Sequence, residues 1–205
     1  MIKIKICGMR SPQDAIWATS AGAWAAGFVF APSARQVTVD EAARIIRVMP
    51  PSVHKVGVFV DSSLDTVKAT AAATGIDMLQ FHGQESPEYC QEFALPVIKS
   101  FRIRDENSLA QVEKYTVFAC LCDTYVPDRL GGSGRTFDWR CLQGVPAGLR
   151  IILAGGLTPC NVSSAIRQIS PFAVDVSSGV EINGRKDRIL IKDFIKTAER
   201  IHATT

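Results

Sequence analysis

The sequence predicts a (β/α)8 barrel spanning residues 1–205 as one domain, and three observations carry the prediction. Eight short β-branched or apolar runs recur along the chain, each followed by a stretch with helical spacing. Strands that alternate with helices form a parallel sheet, and right-handed crossovers let such a sheet close on itself. The length of 205 residues leaves about 26 per unit, slightly below a full strand–helix–strand element, so a barrel here has almost no insertions. An open doubly wound sheet is the alternative. It usually has fewer strands and a glycine-rich loop after the first, where this chain reads Cys7-Gly8-Met9-Arg10.

The predicted strands are 2–7, 25–30, 54–60, 77–81, 96–101, 117–123, 150–154 and 172–177. The helices between them carry recognisable starts and stops. Ser11-Pro12 supplies a cap and a first-turn proline, and Gly22 a stop. Thr38 or Asp40 opens the second helix, which two prolines end, and Ser62 or Ser63 opens the third, closed by Gly75. Ser86-Pro87, Asp105 and Thr158-Pro159 open three more, Asp138 caps a short turn at residues 139–142, and residues 188–203 form the last and longest helix.

Composition excludes several classes. With 47% hydrophobic and 21% charged residues, 15 glycines and 10 prolines, the chain is neither disordered nor collagen-like. The charge balance of 23 basic against 20 acidic residues is +3, scattered rather than striped, which argues against a nucleic-acid partner. No apolar run approaches the ~20 residues that cross a bilayer, so no membrane partner is expected. The chain opens directly on an alternating strand without a leader, and its six cysteines are too sparse for a disulfide scaffold. A reducing cytoplasm is the expected location. Cys120 and Cys122 share one strand face and read as core packing rather than a metal site. His54, His202 and the sequon Asn161-Val162-Ser163 carry no functional reading.

In a barrel, reactive groups sit at the C-terminal ends of strands, and phosphate commonly binds at the loops after the seventh and eighth. Those loops read Ala154-Gly155-Gly156-Leu157 and Ser177-Ser178-Gly179-Val180-Glu181. Glycine lets backbone N–H groups approach an anion, so Gly155, Gly156, Ser177, Ser178 and Gly179 are the candidate phosphate-binding residues. A phosphorylated small molecule is the expected partner. Four further strand ends offer reactive groups: Cys7, Arg35, His82 and Asp123. On the first strand Lys3, Lys5 and Cys7 share one face and Ile2, Ile4 and Ile6 the other, so Cys7 faces the mouth if the isoleucines meet the helices. Read alone, Cys7 is equally an inert buried thiol, Asp123 a helix cap, Arg35 a solvated loop residue and His82 a structural histidine. Lys5 is expected to pair with Asp175, and a Schiff-base role for Lys5 or Lys99 is the weaker alternative.

Eight fragments in register resemble the phosphoribosylanthranilate isomerase family of tryptophan biosynthesis. They are Lys5-Ile6-Cys7-Gly8, Gly27-Phe28-Val29-Phe30 with Ser33-Ala34-Arg35-Gln36-Val37, Val56-Gly57-Val58-Phe59, Gln80-Phe81-His82-Gly83, Asp123-Thr124, Gly131-Gly132-Ser133-Gly134 with Thr136-Phe137-Asp138-Trp139, Leu153-Ala154-Gly155-Gly156-Leu157, and Val174-Asp175-Val176 running on through Glu181. Gly184 and Lys186-Asp187 also resemble that family.

The resemblance implies an Amadori rearrangement of N-(5-phosphoribosyl)anthranilate, with Cys7 as general base and Asp123 as general acid. It implies a substrate-binding role for Arg35, His82 and Asp175, no cofactor or metal, and a monomer or weak homodimer. Free cysteine titrates near ~8.5 and aspartate near ~3.9, so both are expected to shift toward neutrality. The loop Asp128–Gly134 is a candidate lid.

Two departures from the family pattern stand out: Trp24 where an acidic residue is usual, and Ser33-Ala34-Arg35 in place of Ser-Pro-Arg, expected to loosen the loop that carries Arg35. A histidine-pathway isomerase of the same chemistry is the alternative, but such barrels place an aspartate where Cys7 stands. A catalytically silent sugar-phosphate sensor is a third reading, against which the presence of both Cys7 and Asp123 speaks.

Overall fold

The computed structural model describes residues 1–103, 106–124, 139–142 and 148–203. Eight parallel strands close into a barrel in sequence order: β1 (Lys3–Cys7), β2 (Ala25–Val29), β3 (His54–Phe59), β4 (Met78–Phe81), β5 (Val97–Ile103), β6 (Ala119–Thr124), β7 (Ile151–Leu153) and β8 (Ala173–Val176). β8 returns to β1 with Lys5 opposite Asp175, which closes the ring. All eight predicted strands are present with small boundary shifts. The largest are at β5 and β6: β5 runs on to Ile103 because Arg102 and Ile103 pair with Asp123 and Thr124, and β6 begins two residues later than expected.

The outer layer contains α1 (Pro12–Ala21), α2 (Val39–Ile46), α3 (Leu64–Thr74), α4 (Pro87–Gln91), α5 (Val162–Ile169) and α6 (Arg188–Glu199). The caps explain the first three starts. Ser11 and Asp14 form a reciprocal capping box, Thr38 and Glu41 form a second, and the Ser63 side chain accepts from Thr66 N. Two expected α-helices differ: residues Glu106–Lys114 form a 3-10 helix, and α6 tightens into a 3-10 turn at Arg200–Ala203, while Trp139–Leu142 forms the expected short turn. The expected caps Asp105 and Asp138 and the candidate lid Asp128–Gly134 lie outside the described residues.

Thr158-Pro159 does not open α5. Asn161 precedes it, and its side chain is turned back onto the β7 loop: Oδ1 accepts from Thr158 N at 2.8 Å and Nδ2 donates to Gly156 O at 2.9 Å. After β8 the chain also makes a short turn, Ser178–Val180, and a hairpin of β9 (Glu181–Ile182) and β10 (Arg185–Lys186) before α6 begins.

The alternation of β1 sorts the core as expected. Ile2, Ile4 and Ile6 pack outward with Ile191, Phe194 and Ile195 of α6, while Lys5 points into the barrel, fully buried. The interior is filled by Ala25, Val56, Met78, Ile98, Leu121 and Ile152. Cys120 and Cys122 belong to the outer apolar layer, as their packing reading requires. Trp24 meets the rings of His54 and Phe172 edge-on, and Lys3 lies 4.4 Å from the Phe172 ring centroid. These residues stand at the N-terminal ends of their strands, so the Trp24 departure contributes packing at the barrel floor, opposite the strand ends that carry Cys7 and Asp123. Among the described residues, no helix is long and apolar enough to cross a membrane.

Candidate active site

Cys7, Arg35, His82, Asp123, Asp175 and Ser177 line one cavity of about 120 Å3 at the C-terminal ends of the strands, together with Gln80, Val29, Val58 and Val60. Space for the thiol comes from β2. Gly27 is the register partner of Cys7, and a Cβ built on Gly27 would stand 2.7 Å from Cys7 Sγ. Any larger residue there would push the sulfur out of place.

Two buried charges surround this thiol. Lys5 Nζ donates to Asp175 Oδ1 at 3.0 Å, the ion pair expected from sequence. Burial works against the Lys5 charge, but Asp175 and Cys7 outweigh it and the ammonium is held above its ordinary value. For Cys7 itself, burial is the largest influence and raises the thiol, assisted by Asp175 and opposed by Lys5 and Lys186. The expectation that the Cys7 value falls toward neutrality is therefore corrected: desolvation wins in the free protein.

His82 is almost entirely enclosed. Burial, then the positive charges of Lys5, Lys99 and Arg102, depress its imidazole to about 4. It is neutral at pH 7, so its 3.6 Å approach to Asp123 Oδ2 is a contact of a neutral ring with a carboxyl group, not an ion pair. Gln80 Nε2 lies 3.3 Å from both His82 Nδ1 and Ser100 Oγ. Gln80 Oε1 and His82 Nε2 are buried without a hydrogen-bond partner among the described residues, and both side chains line the cavity.

The depressed His82 value makes a stability prediction. The unfolded histidine titrates near 6.5 and binds a proton that the folded one refuses until about 4, so stability is full above 6.5 and is lost as pH falls through that window. Between pH 7 and pH 5 the loss from this group is about 2 kcal/mol. Urea unfolding at the two pH values measures it, and His82→Gln removes that part of the slope.

Arg35 does not stand free in its loop. Its Nε and Nη2 donate to Glu181 Oε1 and Oε2 at 2.8 and 2.7 Å, a two-pronged contact between residues 146 positions apart. The loop that carries it is tied as well: Ser33 Oγ accepts from Arg35 N at 3.1 Å, and Arg10 Nη1 donates to Ala34 O at 2.9 Å. These two bonds bear on the same residues at which the family pattern has its proline.

The two phosphate-loop candidates touch each other. A Cβ on Gly179 would fall 1.8 Å from Leu157 O, so the β8 turn lies directly against the β7 loop. Gly155 and Gly156 adopt φ values of 86° and 63°, the left-handed backbone that favours glycine. Of these loops only Ser177 lines the cavity with Cys7; Gly155, Gly156, Ser178 and Gly179 do not.

With this geometry in place, the comparisons with known proteins are decisive. The chain matches the family described as N-(5′-phosphoribosyl)anthranilate (PRA) isomerase over residues 4–197. It belongs to that isomerase family. An N-(5′-phosphoribosyl)anthranilate isomerase of Pelobacter propionicus is 48% identical over 201 residues, covering 97% of this chain and 96% of the relative. One from Geobacter sp. (strain M21) is 48% identical over 203 residues, covering 98% of this chain and all of the relative. The crystal structure of the phosphoribosyl anthranilate isomerase of Thermotoga maritima superposes with a TM-score of 0.92 at 40% identity, covering 98% of this chain and 100% of that one. Another solved isomerase, bound to reduced 1-(o-carboxyphenylamino)-1-deoxyribulose 5-phosphate, gives 0.85 at 37% identity with the same coverage.

Within this member of the isomerase family, sequence reasoning gave no role to Gln80, Asn161, Glu181 or Lys186, all of which bond to site residues or their loops. One signal was available for the last two. Asn183-Gly184 is the two-residue turn of a tight hairpin, with φ of 51° and 72°, and it places Glu181 directly opposite Lys186. Lys99 is fixed elsewhere: its buried Nζ donates to Glu85 Oε2 at 3.0 Å and Gly83 O at 2.8 Å, which removes it as a Schiff-base candidate.

Proposed function

We propose that this chain, residues 1–205 acting as one catalytic barrel domain, converts N-(5′-phosphoribosyl)anthranilate into 1-(2-carboxyphenylamino)-1-deoxyribulose 5-phosphate, a step of tryptophan biosynthesis. The observation that carries the reading is the convergence of Cys7 and Asp123, from β1 and β6, on one cavity with Arg35, His82, Asp175 and Ser177.

In the proposed sequence Asp123 protonates the furanose ring oxygen, the C1′–O bond breaks and an iminium ion forms. The Cys7 thiolate then takes the proton from C2′, giving an enolamine. The enolamine tautomerises to the ketone as a proton leaves the 2′-oxygen and another reaches C1′. Solvent returns the proton balance of the two side chains. No cofactor or metal enters these steps.

Arg35 holds the anthranilate carboxylate with the N–H groups that Glu181 does not use. Asp175 keeps Oδ2 for a substrate hydroxyl while Lys5 occupies Oδ1. Gln80 Oε1 and His82 Nε2 gain their missing hydrogen bonds from the substrate. Gly155, Gly156, Ser177, Ser178 and Gly179 form the phosphate cradle. The partner is this phosphorylated small molecule, with neither nucleic acid nor membrane involved. The protein works in the cytoplasm, where its free cysteines stay reduced, as a monomer or weak homodimer. Monomers generated from a dimeric isomerase of Thermotoga maritima are among the structural relatives.

The test is the loss of fluorescence of freshly prepared N-(5′-phosphoribosyl)anthranilate. Purified protein is expected to consume it rapidly. Failure to consume it, with turnover of the phosphoribosyl carboxamide of histidine biosynthesis instead, overturns the proposal.

A further inference from the structure

The hairpin that follows β8 carries two charged residues that the proposed chemistry leaves without a role. Glu181 and Lys186 are paired across it, and the Lys186 side chain is 1% exposed. An ammonium buried this deeply needs a compensating partner. Lys186 Nζ donates to Glu181 Oε1 at 2.7 Å and to Ser177 O at 3.0 Å.

Each of those contacts leads into the site. Glu181 holds Arg35 through two hydrogen bonds, and Ser177 Oγ donates to Cys7 O at 3.1 Å. Arg35 in turn packs on the residue after Cys7, since a Cβ on Gly8 would lie 2.6 Å from Arg35 Cδ. The contacts close a ring: Cys7, Ser177, Lys186, Glu181, Arg35, Gly8.

We infer that Lys186 is a positioning residue, acting through Glu181 to fix the guanidinium of Arg35 and through its buried charge on the thiol of Cys7. The inference rests on the reading of Arg35 as carboxylate clamp and Cys7 as base. Glu181 is held at about 2, with burial opposing and Arg35 and Lys186 more than offsetting it, so the carboxylate is ionised wherever the enzyme works. The charged groups acting on the thiol are Lys5 on β1, Asp175 on β8, Lys186 on β10 and Arg35 in the loop after β2; His82 and Asp123 line the same cavity. Lys186 favours the thiolate, and Glu181 partly cancels its charge.

The two charges therefore have opposite effects on the thiol and the same effect on the clamp. Lys186→Met raises the pH midpoint of Cys7 alkylation by iodoacetamide, read on the Cys7 peptide by mass spectrometry, by about one unit. Glu181→Gln leaves that midpoint unchanged or lowers it. Both variants raise KM for N-(5′-phosphoribosyl)anthranilate by about tenfold or more, because each breaks a buried hydrogen-bonded charge pair. Lys186→Arg restores most of the wild-type midpoint.

Midpoints that rise together in the Met and Gln variants, or an unmoved KM in both, overturn the inference. If Lys186→Met does not fold, Glu181→Gln decides alone: a raised midpoint or a wild-type KM overturns it. The alkylation result is independent of Cys7 acting as base, which Cys7→Ser turnover tests separately.

Discussion

Cys7→Ser lowers turnover by about 10²- to 10⁴-fold and leaves substrate affinity nearly unchanged, and Asp123→Asn does the same. Serine fits the gap left by Gly27, so the barrel mouth keeps its shape. What serine lacks is an accessible anion, since its hydroxyl does not ionise in the working range. Asparagine keeps the volume of Asp123 next to His82 but has no carboxyl proton to give. A steady-state assay separates kcat from KM for each variant. Near-normal turnover in either one removes that residue from the mechanism. The raised value of Cys7 gives a sign to its chemical modification: the thiolate fraction, and with it the rate of Cys7 alkylation by iodoacetamide in the free wild-type protein, continues to climb through about pH 8.5, the ordinary thiol value. A rate that levels off already at about pH 6.5 contradicts the raised thiol.

The second large effect is at Gly179. Its added Cβ in Gly179→Ala would meet Leu157 O at 1.8 Å, Leu157 C at 2.9 Å and Thr158 Cα at 3.2 Å, all backbone atoms. A carbon–oxygen contact needs about 3.3 Å, so the two loops must part by more than about 1 Å. Neither yields easily: Leu157 is buried in the outer core, and Thr158 N is held by Asn161. Gly179→Ala is expected to cost about 1–3 kcal/mol of stability, as overpacking does. It also separates the two halves of the proposed phosphate cradle. KM for the phosphorylated substrate and Ki for inorganic phosphate both rise by about tenfold or more, a loss of at least about 1.4 kcal/mol of phosphate binding. Wild-type values of both, with an unchanged Tm, would show that the loops do not act as one cradle.

The barrel was legible because its signals are local. Each strand run stands out by its apolar and β-branched residues, and Ser11, Thr38, Ser63 and Ser86 mark helix starts through bonds that span only three residues. The face of β1 that carries Lys5 and Cys7 followed from alternation alone. The rest depends on contacts that no local pattern encodes. Arg35 has the chemistry of a carboxylate clamp, but its partner Glu181 lies 146 positions away and meets it only after the barrel closes. The Cys7 value could not be read from its neighbours in sequence, because the burial that raises it comes from the assembled mouth. Asn161 resembles a helix cap by type, yet spends its side chain on the β7 loop. The hairpin was the one missed element with a local sign, the Asn183-Gly184 turn.

The most direct test of the account is a crystal structure of the Cys7→Ser protein with the product or its reduced analogue. The phosphate is expected against Gly155-Gly156 and Ser177–Gly179, the carboxylate on Arg35, and C2′ between residue 7 and Asp123, in contact with both. A phosphate seated elsewhere, or a C2′ out of reach of either side chain, contradicts it.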